Sequence, residues 1–214
     1  MDETVYNDLK EKLLTHDHIG IMLSGGLDSA IFFYCLMTVR EQEKLTDTKI
    51  TVFTVDVAMG AKKDAGAILD FINQTFDSAI EQVIVGESHR KLHPNLMVWS
   101  GMADAYTQVD CLALADNQVP DVPGLIDDPW CPPRKTLDPK DYDSDLPVID
   151  SYRPWIELTK DKTVKIAIDM GLTELFKLTR TCCVDKYKRC GECWYCRERA
   201  WAFTQNNYID PGTR

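Results

Sequence analysis

The chain reads as an α/β protein built on a doubly wound, mostly parallel sheet, and two observations predict this. Short apolar runs of strand length alternate with longer runs at helical spacing, and a Ser-Gly-Gly turn joins the first strand to the first long helix. Residues 2–15 open with an amphipathic helix, with Val5, Leu9, Leu13 and Leu14 on one face and acidic residues in the first turn. Ile19 to Leu23 is a strand, and Ala30 to Val39, apolar nearly all round, is a buried helix. A second strand follows at 50–55, a helix at 62–77 with Ala65, Ile68, Leu69 and Ile72 inward, a strand at 82–85, a helix at about 95–107 and a strand at 109–115.

The pattern breaks at about 119–154, where prolines stand at 120, 123, 129, 132, 133, 139, 147 and 154 among many aspartates. A segment of this length inside a domain is expected to act as a lid, with Trp130, Tyr142 and Tyr152 available for packing. Helical spacing resumes at 163–170 and ends near Gly171. The 214 residues suit one domain spanning 1–214, with a cysteine-rich C-terminal segment at about 180–205.

With 44% hydrophobic and 27% charged residues the composition is that of a globular chain. Neither a long apolar run nor a charged-then-apolar N-terminus predicts a membrane partner or export, so a cytoplasmic location is expected. A formal charge of −10, from 24 basic and 34 acidic residues, disfavours stable binding of nucleic acid.

Ser24-Gly25-Gly26-Leu27-Asp28-Ser29 lies where a pyrophosphate would bind. The glycines let the backbone approach an anion, the helix N-terminus supplies positive potential, and the Ser24 and Ser29 hydroxyls add donors. Asp28 beside phosphates is tolerable only with a cation between them, so Mg2+ is implied. The plain alternative is a Gly-Gly turn with Ser29 as a helix cap. All six positions resemble the signature of the PP-loop ATP pyrophosphatases, and there is no Gly-Lys-Ser of a Walker loop. That resemblance implies the adenine-nucleotide alpha-hydrolase fold and cleavage of ATP between its α and β phosphates.

Cys190, Cys193 and Cys196 stand at successive Cys-x-x-Cys spacing, and Cys182 or Cys183 completes a tetrahedral site of structural type. Zinc is the expected occupant, with an iron–sulfur cluster or a redox pair as alternatives. Lys186, Lys188, Arg189, Arg197 and Arg199 are expected to offset the thiolate charge. Cys35 and Cys111 read as buried small hydrophobes, and Cys131 falls in the lid.

The two motifs together resemble the 7-cyano-7-deazaguanine synthases. The likeness rests on SGGLDS, on LTRTC at 178–182, on CGECWYC at 190–196 and on Arg199, Ala202 and Phe203; Leu158-Thr159-Lys160 and Pro120-Asp121 also match. It implies that Ser24, Gly25, Gly26, Leu27, Asp28 and Ser29 bind ATP, that Asp28 and Lys160 are catalytic, and that Asp121 lies near the substrate. It further implies that Cys182, Cys190, Cys193 and Cys196 bind zinc, with Cys182 preferred over Cys183. The implied reaction joins ammonia to a 7-deazapurine carboxylate through an adenylate and an amide to give a nitrile. A homodimer is expected from the likeness alone. The chain departs from the family pattern at Asp56-Val57-Ala58-Met59, at Pro94-Asn95, at Cys183 and over 122–150.

From the residues alone Lys160 fits a solvated helix-start lysine as well as a phosphate ligand. Arg134 and Arg153 suit surface ion pairs, and His89 and His93 suit surface positions. Trp194, Tyr195 and Trp201 are expected to pack the cysteine segment against the sheet. Two other functions stay open: an RNA-sulfurating adenylase, and a nucleotide-binding subunit whose altered middle has lost chemistry.

Overall fold

The computed structural model describes residues 1–56, 60–86, 94–128, 149–185 and 188–212. Helix α1 (Glu3–Thr15) turns Leu9 and Leu13 inward, and its N-cap Asp2 accepts the Thr4 N–H at 2.8 Å. Strands and helices then alternate: β1 (His18–Met22), α2 (Leu27–Glu43), β2 (Lys49–Val55), α3 (Ala61–Thr75), β3 (Gln82–Val85), α4 (Pro94–Tyr106) and β4 (Cys111–Ala113). After β5 (Asp150–Tyr152) the chain is helical, with α5 (Lys160–Asp169), α6 (Thr173–Leu178) and α7 (Trp194–Gln205).

The five strands are all parallel, in the order β3-β2-β1-β4-β5. From β1 the chain moves outward through β2 and β3, then crosses back to β4 on the other side. The order therefore reverses between β1 and β4, and the crevice at the carboxyl ends of those strands is where such sheets bind ligands.

Alternation along the strands sorts residues onto two faces. Ile19, Ile21, Ile50, Val52, Cys111, Ala113 and Tyr152 join a large core with residues of α1, α2, α3, α5, α6 and α7. Phe53, Val55, Val85 and Leu112 point the other way, onto Met97, Ala105 and Tyr106 of α4. Helix α2 is covered nearly all round, which explains why its sequence shows no polar face.

Three features depart from the sequence reading. Strand β5 lies within the stretch read as irregular, because Asp-Ser-Tyr carries no apolar run and is only an edge of the sheet. Helix α5 starts at Lys160 and not near Thr163, since Thr159 is its N-cap and its first turn holds no exposed apolar residue to extend the period. The Cys-x-x-Cys run from Cys190, whose spacing predicts a turn through Trp194 and Tyr195, gives way at Trp194 to the first residue of α7. Trp130, Cys131, Arg134 and Tyr142 of the expected lid lie outside the described residues, as do Val57 to Met59, Lys186, His89 and His93. Among the described residues no helix is long and apolar enough to cross a membrane.

Gly20, in the central strand, marks a close approach: a Cβ there would meet Phe53 Cε2 at 2.8 Å and Leu112 Cδ1 at 3.0 Å. Gly20→Ala is expected to destabilise the chain by about 1–3 kcal/mol through overpacking, read as a lower urea midpoint at unchanged m-value.

Candidate functional site

The turn after β1 emerges at the strand-order reversal, where Leu23 N–H is still bonded to Phe53 O at 2.8 Å. Gly25 adopts φ +77°, and a Cβ on it would lie 2.7 Å from Asp64 Cβ, so only glycine lets the loop rest on the first turn of α3. Gly25 O accepts the Arg180 N–H at 2.9 Å, and the Arg180 guanidinium binds Asp64 at 2.6 Å. The loop is thus clamped from two sides before any ligand arrives.

Gly26 is the N-cap of α2 and has no side chain with which to cap it, leaving first-turn N–H groups of a 17-residue helix to face an anion. Ser24 Oγ and Ser29 Oγ lie 3.2 Å apart, and Gly26 N–H donates to Ser24 Oγ at 3.2 Å, so the two hydroxyls converge at the helix start. Trp155, fully buried, donates its indole N–H to the Asp28 carbonyl at 3.3 Å and fixes this turn from the β5 side.

Lys160 is only 2% exposed, and its ammonium lies 2.8 Å from Asp28 Oδ2 and 2.8 Å from Glu198 Oε2. Burial alone would lower its pKa, but the two carboxylates outweigh that and raise it, so the lysine is a charged group. The other Asp28 oxygen, Oδ1, is buried without a hydrogen-bond partner among the described residues. A bare carboxylate oxygen beside an uncapped helix start fits a divalent cation bound together with a polyanion, the donor set that a magnesium–nucleotide complex needs. Asp121 is exposed, three residues beyond Gln118, which pairs with Thr159 next to Lys160.

The sulfurs of Cys182, Cys190, Cys193 and Cys196 lie within 4.8 Å of one another, and Cys183 is exposed outside the group. A tetrahedral zinc–thiolate site places its sulfurs roughly 3.8 Å apart, so the four donors fit such an ion and leave it no open position. Burial opposes ionisation of Cys182, yet backbone N–H groups of Asp185, Cys190 and Val184 outweigh it and bring the thiol down to about 6. Asp185 N–H reaches Cys182 Sγ at 3.3 Å, and Cys193 N–H reaches Cys190 Sγ at 3.2 Å. These amides do part of the work expected of the cationic side chains. Arg189 and Arg199 are instead paired with Asp210, and Arg197 with Asp128, because carboxylates are harder and closer partners.

Glu198, Arg180, Asp64 and Trp155 were not singled out by the sequence, since a charged residue in a helix or near its start ordinarily signals a solvated face. Trp194 is buried, and its indole N–H donates to Leu125 O at 2.9 Å. Arg153 forms the expected surface pair with Asp116 at 2.7 Å. Cys35 and Cys111 are fully buried, as expected.

Residues 144–207, which supply Lys160, Glu198 and all four grouped cysteines, match the family model described as queuosine biosynthesis protein QueC. The likeness to the QueC family is confined to this segment, less than a third of the chain. A 7-cyano-7-deazaguanine synthase 1 from Colwellia psychrerythraea is 35% identical over 63 residues, 29% of this chain and 28% of that protein. The match thus spans less than a third of the curated relative. The solved U34-tRNA thiolase NcsA from Methanococcus maripaludis, with its 4Fe-4S cluster, aligns at a TM-score of 0.50 and 14% identity, over 96% of this chain and 72% of that one. At that identity the likeness is one of fold alone: a parallel α/β sheet.

Two outcomes follow from the C-terminal geometry. Cys182→Ser should abolish stoichiometric zinc in the purified chain while Cys183→Ser retains it, measured by elemental analysis. Arg199, fully buried, binds Asp210 through Nε at 2.8 Å and Nη2 at 3.0 Å, and also Thr179, Thr181 and Phe176 O. Burial alone would raise the Asp210 carboxyl, but Arg199 holds it below its ordinary value. Stability from the pair is therefore fully present above the ordinary carboxylate range and lost as pH falls through the lower folded value. Arg199→Ala should cost about 3–5 kcal/mol at neutral pH, a gap that narrows in urea titrations as pH falls below the ordinary carboxylate range.

Proposed function

We propose that the chain is an ATP-dependent carbon–nitrogen ligase that converts 7-carboxy-7-deazaguanine and ammonia into 7-cyano-7-deazaguanine, releasing AMP and pyrophosphate. The observation that carries this reading is the meeting of two segments at one point. Lys160, from the segment that matches QueC, reaches across to Asp28 of the Ser-Gly-Gly loop.

In this reading the first-turn amides of α2 and the Ser24 and Ser29 hydroxyls hold the phosphates of ATP, and Lys160 lies beside them. Asp28 Oδ1 would hold magnesium, which supplies charge neutralisation at the phosphates. The substrate carboxylate attacks the α phosphorus and pyrophosphate leaves. Ammonia then attacks the acyl carbon, AMP departs and a proton is lost, giving the amide. The amide oxygen attacks the α phosphorus of a second ATP and pyrophosphate leaves; loss of the two N–H protons and of AMP then leaves the nitrile. In-line attack on phosphorus asks the protein mainly for positioning and for charge, which a rigid helix start and a buried lysine provide. Asp121 is assigned to the deazapurine side, on the loop next to Thr159. The four cysteines bind zinc as a structural ion and stay out of the chemistry.

The assay supplies the 7-carboxy compound, ATP, magnesium and ammonium, without tRNA. Nitrile and two equivalents of AMP are expected, and Asp28→Asn or Lys160→Met should lower AMP release by about a hundredfold or more. ATP turnover that appears only on adding tRNA would overturn the assignment.

A further inference from the structure

We propose that Glu198 is a positioning residue for the nucleotide loop: it shares the Lys160 ammonium with Asp28 and so keeps one Asp28 oxygen open to a divalent cation. The inference rests on reading Ser24–Ser29 as a nucleotide loop. Lys160 Nζ stands 2.8 Å from one oxygen of each carboxylate, and Glu198 is fully buried. An ammonium facing a lone carboxylate is free to turn its donors onto both oxygens. Held between two carboxylates, it takes Oδ2 of Asp28 and leaves Oδ1 buried and unpartnered.

Charge points the same way. Two carboxylates against one ammonium leave one net negative charge beside a loop built for phosphates. A bare nucleotide is repelled by that charge, and a nucleotide carrying magnesium is not. Glu198 thereby favours the metal-loaded nucleotide over the free one. Its placement is not left to a flexible side chain on the surface. It lies on α7, two residues after Cys196, so the four-cysteine group fixes the helix from which the carboxylate projects. A plain Lys–Asp pair would satisfy the lysine and leave the loop neutral, without this selectivity.

The test is calorimetric binding of ATP to the full chain, once across a magnesium titration and once in chelator. In Glu198→Gln, which preserves shape and removes charge, the magnesium concentration for half-maximal binding should rise roughly tenfold, the effect of losing one unit charge at short range in intermediate dielectric. Affinity for metal-free nucleotide should hold or improve. A merely structural role would weaken both together, and that result, or an unchanged magnesium requirement, overturns the proposal. Glu198→Asp retains the charge but withdraws it by one methylene, and a smaller shift in the same direction is expected. Should the Gln variant fail to fold, absence of any shift in the Asp variant overturns the proposal on its own. Wild-type chain that binds no ATP with magnesium present would instead overturn the loop reading, and this inference with it.

Discussion

The buried ammonium of Lys160 is the contact around which the loop after β1 and the C-terminal helices are arranged. An isolated charge at 2% exposure would be heavily penalised, and only close counter-charges make it tolerable. Those counter-charges come from α2 and α7, elements far apart in sequence, while the lysine itself opens α5. Three helix segments must therefore be in place together before the charge is satisfied. The requirement ties the loop after the first strand to the C-terminal segment more firmly than apolar packing alone, since a half-made pair costs more than none.

A second set of polar contacts runs parallel to the first. Arg180 holds Gly25 by its backbone and Asp64 by its guanidinium, and it also donates to the carbonyls of Cys182 at 3.1 Å and Asp185 at 3.3 Å. The same residue thus joins the Ser-Gly-Gly turn to the stretch of chain that carries the first grouped cysteine. Arg199 secures the next turn by reaching Thr179, Thr181 and Phe176 O from α7. The cysteine group thus borders both α7 and the segment at 179–185, the two segments that reach the loop after β1 through Arg180 and, by way of Lys160, Glu198. Under the proposed function, an ion held there would matter for nucleotide binding without touching the nucleotide.

The order of elements was legible because its signal is local. A strand, a Gly-Gly turn and an apolar helix announce themselves within twenty residues, and the three Cys-x-x-Cys-spaced thiols do so within seven. Cys182 was separable from Cys183 only by likeness, and the fold separates them by exposure. Strand β5 was hidden because an edge strand of three residues, Asp150 to Tyr152, has no room for a period. Glu198 was hidden for a different reason: its partner lies 38 positions away, and nothing in Cys-Arg-Glu-Arg distinguishes a carboxylate turned inward from one turned to water. Long-range ion pairs leave no trace in composition or spacing.

The same difference explains why Lys160 looked ambiguous. Set between Thr159 and Asp161, it has the neighbours of a solvated helix start, and the Thr159 hydroxyl donates to the Asp161 carboxylate at 2.5 Å. A cation in the first turn is also on the wrong side of the helix dipole, which favours carboxylates there. The placement is therefore locally unfavourable and is sustained by contacts from elsewhere. Charged groups held against local preference in this way are where a fold concentrates its chemistry. Here the compensation is visible as two carboxylates, one of which keeps an oxygen in reserve beside the start of α2. Stability alone gives no account of that oxygen, unmatched among the described residues, whereas the proposed binding of a cation with each nucleotide would.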